Sequence, residues 1–240
     1  MNCILLLICL ICIFCSSVIA AENKDALPKP EKRTERTIEG WLVKIDDRLL
    51  QADSKVGARA LQLIEAQLAN IRSLVATGRL EKLQKVTIVL DLDHGRLRSA
   101  QYHPSAGWLD SHGYSRDLEK CVHIPMASDF ANARHNSEQP WCVMHELAHA
   151  YNDLVLGFEN DDIKKAFELY KASGHGESVL FVTGGRRKHY ALTNQKEFFA
   201  EMTEAYFGIN DFFPFNRGEL KTEEPAIYLL LQNIWGTPTP

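Results

Sequence analysis

The chain has 240 residues, 45% of them hydrophobic, and a formal net charge of −4. That length allows one cored domain even after a leader and a tether are set aside. The modest charge does not cluster by sign, which excludes a protein that grips nucleic acid through a basic face.

The first 21 residues carry no charge, and an apolar run from Cys3 to Cys15 leads into Ser16-Ser-Val-Ile-Ala-Ala21. Val18 and Ala20 set small residues for cleavage after Ala20 or Ala21. The expectation is a secretory signal over 1–21 and a secreted or periplasmic product with no stable membrane insertion. Because no Lys or Arg precedes the apolar run, an uncleaved anchor is the alternative. Cleavage removes Cys3, Cys9, Cys12 and Cys15 and leaves Cys121 and Cys142. In an oxidising compartment that pair predicts a disulfide, with two buried thiols as the alternative.

Residues 22–36 are polar, contain Pro28 and Pro30 and have no apolar period, so they read as a flexible linker before a domain over 37–240. Thr37 to Ile45 predicts a strand with Trp41, Val43 and Ile45 on one face. From Val56 to Ala76 the residues Ala60, Leu61, Ile64, Leu68, Ile71, Leu74 and Val75 recur at helical spacing, and Gly78 stops the run. Lys85 to Asp93 predicts a strand buried on both faces. Asp91, Asp93 and His94 at its end read as strand-ending polar residues rather than a metal cluster. Ser99 to Tyr114, with Tyr102, His103, Trp108 and His112, reads as a loop whose aromatics either line a cleft or cover the core. Leu118 to Pro125 predicts a short strand placed to be the sheet edge on which an extended substrate pairs its backbone.

The stretch Pro140-Trp-Cys-Val-Met-His-Glu-Leu-Ala-His-Ala-Tyr-Asn152 carries the chemistry. As a helix, with Asn136 or Ser137 as N-cap and an end near Gly157, it places His145 and His149 on one face about 6 Å apart, within reach of one metal ion. Glu146 is rotated about 100° from His145, beside the metal but poorly placed as a ligand, which suits a base acting on water. This H-E-x-x-H pattern is that of zinc hydrolases. Downstream, a second helix is predicted over Asp161–Ala172. Val179 to Val182 and His189 to Leu192 flank a glycine-rich turn. Thr193 or Asn194 caps a helix over Gln195–Phe207, and a last helix spans roughly Glu223–Trp235.

A zinc hydrolase needs a third protein ligand and an open position. The metzincin continuation is rejected, because it needs a glycine and a histidine where this chain has Asn152 and Val155. The helix after Asn194 offers Glu197, Glu201 and Glu204. Glu197 and Glu201 share a face, which makes sense if one acid binds a cation and the other holds a histidine.

Tyr190-Ala-Leu-Thr-Asn-Gln-Lys-Glu-Phe-Phe-Ala-Glu201, following His145-Glu-Leu-Ala-His149, resembles the catalytic domain of anthrax-toxin lethal factor and the related Pro-Pro endopeptidases. These are gluzincin metallopeptidases. The resemblance implies an α+β, zincin-like fold with a small mixed sheet, Glu197 as third zinc ligand and Glu201 as the outer acid that orients a ligand histidine. It also implies that Tyr190 points its phenol at the scissile carbonyl. The chain is expected to lack the toxin's additional large domains, so substrate identity is not expected to carry over. The expectation is a secreted Zn2+-dependent peptidase with Glu146 as general base, acting on a peptide or protein. The alternatives are a catalytically silent zinc-binding recognition protein and a hydrolase of a non-peptide amide.

Overall fold

The computed structural model describes residues 28–238, so the expected signal over 1–21 lies outside the described residues. Among the described residues no helix is long and apolar enough to cross a membrane. The architecture is helix-rich α+β around a small mixed sheet, the coarse class that the resemblance implied.

The chain enters through a hairpin. β1 (Arg33–Ile38) pairs antiparallel with β2 (Trp41–Asp46) in full register from Arg33↔Asp46 to Ile38↔Trp41. Glu39 and Gly40 form the turn, both with positive φ of 53° and 95°, the conformation that suits two-residue hairpin turns. Two expectations are corrected here. The linker ends before Arg33, and the strand expected over Thr37–Ile45 is the end of β1, a turn and most of β2. β1 hides in the sequence because it is a partly exposed edge strand with no apolar face to announce it. In β2, Trp41, Val43 and Ile45 are fully buried.

α1 (Lys55–Leu74) is capped by Ser54, whose side chain accepts from the Gly57 amide. It buries Ala60, Ile64, Leu68 and Ile71 in the core. α2 (Thr77–Leu83) follows, and Trp41 Nε1 donates to the carbonyl of Leu83 at its end. β3 (Ile88–Leu90), buried throughout, runs parallel to β2. β4 (Gln101–Tyr102) and α3 (Ala106–Ser111) occupy the stretch expected to be loop. β5 (Val122–Ile124) is parallel to β3, and β4 is antiparallel to β5. The order β1-β2-β3-β5-β4 makes β5 an inner strand. The edges are therefore β1 and β4, and the expectation that Leu118–Pro125 forms an edge is wrong. Its three buried residues reflect coverage on both sides, which short apolar runs cannot distinguish from an edge.

α4 (Ala127–Phe130) and α5 (Ala133–Glu138) lead to α6 (Cys142–Tyr151). Asn132 caps α5, and α6 starts after Trp141 with no side-chain cap, so neither Asn136 nor Ser137 plays the expected part. α6 runs on through one π turn, Asn152–Leu156, and ends at Gly157, φ 79°. Then come α7 (Asp161–Ser173), a two-residue hairpin of β6 (Val179–Leu180) and β7 (Arg186–Arg187), α8 (Gln195–Phe207), α9 (Arg217–Glu223) and α10 (Pro225–Trp235). His189–Leu192 is not a strand. His189 caps a 3-10 turn over Tyr190–Leu192.

α6 and α8 pack together in one core with the sheet. Trp235 of α10 closes it, with ring centroids 4.4 Å from Tyr151 and 5.5 Å from Phe207. The expected disulfide is absent, since Cys121 and Cys142 are both free thiols. Cys121 Sγ lies 3.5 Å from the Asp117 carbonyl, and Cys142 Sγ lies 3.7 Å from Gln67 Oε1, so each donates within its own neighbourhood.

Candidate metal centre

Helix geometry brings His145 and His149 together on α6, with ring centroids 4.8 Å apart and nearly perpendicular. Glu197 comes from the first turn of α8, which the Asn194 side chain fixes by accepting from the Lys196 and Glu197 amides. Glu197 Oε2 lies 3.1 Å from His145 Nε2 and 3.3 Å from His149 Nε2. Two ligands at 2.0–2.1 Å on one tetrahedral zinc lie about 3.3 Å from each other. These three side chains thus have the spacing of donors that could hold a metal ion, and they line a cleft of about 340 Å³.

The electrostatics ask for positive charge at that point. Burial pushes the Glu197 carboxyl up, yet the two imidazoles beside it outweigh burial and hold it far below the usual carboxylate range. Burial opposes charge on His145, but Glu197 and Glu204 raise its pKa well above the ordinary histidine value. A proton on the imidazole or a metal cation between the donors meets the same need.

Behind the site, His145 Nδ1 is 2.7 Å from Glu204 Oε1 and 3.5 Å from Glu201 Oε1. Glu204 thus lies closer to His145 Nδ1 than Glu201, the acid that the resemblance gave for orienting a ligand histidine. With Nδ1–H given to a carboxylate, a neutral imidazole would turn its Nε2 lone pair to a cation held between it and Glu197. Glu201 is 2% exposed, and its Oε2 has no hydrogen-bond partner. Burial and the charge of Glu204 raise its pKa well above the usual range, which favours the protonated acid. In sequence, Glu197 and Glu204 are seven residues apart and share a helix face, as Glu197 and Glu201 do at i,i+4, so spacing alone does not choose between Glu201 and Glu204.

Glu146 is 9% exposed and lines the same cleft. Its Oε2 accepts a 2.7 Å hydrogen bond from the Tyr102 amide. Burial raises its pKa, with His145 and His149 pulling the other way. Tyr190 also lines the cleft and is 47% exposed. Burial and then the charge of Glu197 raise its phenol pKa, so the hydroxyl remains a donor at neutral pH. The 3-10 turn that carries it is held by His189 Nδ1, which accepts from the Ala191 amide. Sequence reasoning named Tyr102 among the loop aromatics but missed its hold on Glu146, because that contact is a backbone N–H that any residue would offer.

A second cluster of metal-ligand types lies outside this site. Asp91 Oδ2 is 2.7 Å from His94 Nδ1 and 2.9 Å from His123 Nε2. Those are hydrogen-bond separations rather than the spacing of two ligands on one ion. Arg33 supplies the cation, with Nε 2.7 Å from Oδ1 and Nη2 2.8 Å from Oδ2 of Asp91. His103 Nε2 extends the chain, 3.1 Å from His123 Nδ1. Asp93 stands apart and accepts from Arg48 instead.

No protein-family model matches this chain, and no curated protein or solved structure does either.

Proposed function

We propose that the protein is a zinc-dependent metallopeptidase of the gluzincin type on a zincin-like scaffold, with His145, His149 and Glu197 as ligands. One observation carries the reading: two imidazoles and a carboxylate converge at 3.1 and 3.3 Å at the wall of an open cleft that also holds Glu146. Zinc bound there would supply a Lewis acid and a water of pKa near 7. Glu146 accepts the proton of the attacking water and passes it to the leaving amine, a role its buried, raised-pKa carboxylate suits. The Tyr190 phenol donates to the carbonyl oxygen as negative charge develops on it. Glu204 keeps His145 in the tautomer that presents Nε2 to the ion. Ser99 to Gln101 run along the cleft into β4, one of the two edges of the sheet, where an extended peptide can pair its backbone. With the expected secretory signal, the substrates are extracellular or periplasmic peptides or proteins.

The test is cleavage of a generic peptide library with and without a chelator, with zinc measured on the same samples by elemental analysis. Hydrolysis should require zinc, and Glu146→Gln should keep zinc while losing about 10²–10⁴ in rate. Bound zinc with no cleavage of any peptide would make the protein a silent zinc-binding recognition protein. Retained zinc in Glu197→Ala would move the third ligand elsewhere on α8.

A further inference from the structure

We infer that Asp153 is a positioning residue for Glu146, acting through Tyr102. The role in catalysis rests on the peptidase reading, but the attachment itself does not. β4 is two residues long and pairs with β5 only through Gln101↔His123 and Tyr102↔Val122. Its flanking backbone bonds, from the His103 amide to the Cys121 carbonyl and from the Lys120 amide to the His103 carbonyl, also face β5. The Tyr102 amide points the other way, out of the sheet edge, and Glu146 takes it at 2.7 Å. So short a ladder is a weak hold on the strand that must meet the base within one hydrogen bond.

The side chain of Tyr102 supplies a second hold. Its hydroxyl donates to Asp153 Oδ2 at 2.7 Å, and the ammonium of Lys120 sits 2.6 Å from the same oxygen. Asp153 lies in the π turn that continues α6, seven residues after Glu146 and thus about two turns along the same face. One residue of the edge strand is thereby fastened to the active helix twice, by its amide at Glu146 and by its phenol at Asp153. Two points fix both the separation and the roll of the strand against the helix. Lys120 adopts φ 58°, uncommon for a residue with a Cβ. Its amide bond to His103 and its ion pair with Asp153 hold it there. A peptide lying along Ser99–Gln101 would be set relative to Glu146 by the same fastening.

The test uses Tyr102→Phe, which keeps the ring and the amide, and Asp153→Ala, both in the full chain. Amide hydrogen exchange reads the attachment without any activity. Exchange at Tyr102, or at the phenylalanine amide that replaces it, should speed up roughly tenfold or more while Ile88–Leu90 of β3 stay as protected as before. Unchanged protection at position 102 in both variants overturns the inference. Should Asp153→Ala not fold, Tyr102→Phe decides alone. On a cleaved peptide, kcat should fall roughly tenfold with KM and zinc content within twofold. A loss confined to KM, or one that tracks zinc loss, would mark a merely structural contact and overturn it. If the unsubstituted chain cleaves nothing, the peptidase reading fails while the exchange result still decides on the fastening.

Discussion

The cluster of His145, His149 and Glu197 and the cluster of Asp91, His94 and His123 are made of the same two kinds of side chain, and they part company over what supplies the positive charge. Around Asp91 the side chains are 0–6% exposed, the separations are 2.7 and 2.9 Å, and the Arg33 guanidinium completes the pairing. Around Glu197 the side chains are 12–19% exposed, the separations widen to 3.1 and 3.3 Å, and the donors open on a cleft. A guanidinium brought in from the first strand turns imidazoles and a carboxylate into a closed structural knot. With no such arginine, similar donors stand farther apart on an open cleft, where they could hold a metal ion.

The largest expected effect comes from removing that arginine. Arg33→Ala should cost about 3–5 kcal/mol in a urea unfolding measurement, because it leaves the Asp91 carboxylate buried without its cation. Zinc analysis tests the same contrast from the other side, since the unsubstituted chain should hold one ion per chain. Two ions per chain would mean that the Asp91 cluster binds metal and that the contrast is false.

Acid should open the knot next. Burial and the neighbouring His123 push His103 down to about 3, below the unfolded value near 6.5. Between those two values the unfolded chain binds the extra proton, so stability is full above about pH 6.5 and declines as pH falls toward 3. Between pH 7 and pH 4 the decline should reach about 2–4 kcal/mol, and His103→Gln should flatten that part of a stability-versus-pH curve. Asp91 adds a loss at still lower pH. Burial raises its pKa, but Arg33 and the histidines more than offset this and hold it far below the carboxylate range, so its contribution fades only as acid protonates it. An acid profile identical in the His103→Gln variant would place the sensitivity elsewhere.

At the candidate metal site, Glu204→Ala should weaken zinc binding by about 10–100-fold, and Glu201→Gln should change it far less. Competition with a chromogenic chelator measures both, and equal losses would return the orienting role to Glu201. The smallest effect is expected from a reductant. Cys142 opens the helix of the metal site and Cys121 precedes the strand of the knot, yet both thiols are free. Reducing agent should leave Tm unchanged, whereas a fall would show that the two regions are covalently tied.

Much of the scaffold was legible locally. The period of α1, the buried run of β3 and the H-E-x-x-H face of α6 each depend on side chains within a few residues of one another, so their spacing carries them. The short edge strands were not, because Arg33–Ile38 and Gln101–Tyr102 exist only where another strand receives their backbone. The expected disulfide failed for a related reason: cysteine parity says that a bridge is possible, not that two thiols meet.

From the sequence alone came the two histidines, the glutamate between them and the acids of the later helix, since these reside in residue type and short-range order, while Tyr190 and the mixed character of the fold came from the family resemblance. Tertiary structure alone decided that Glu204 holds His145, that the Tyr102 amide holds Glu146, and that Arg33 fills the other cluster. Those partners lie 59, 44 and 58 residues apart along the chain, and hydrogen bonds between distant segments are set by how helices and strands pack, which no local pattern encodes.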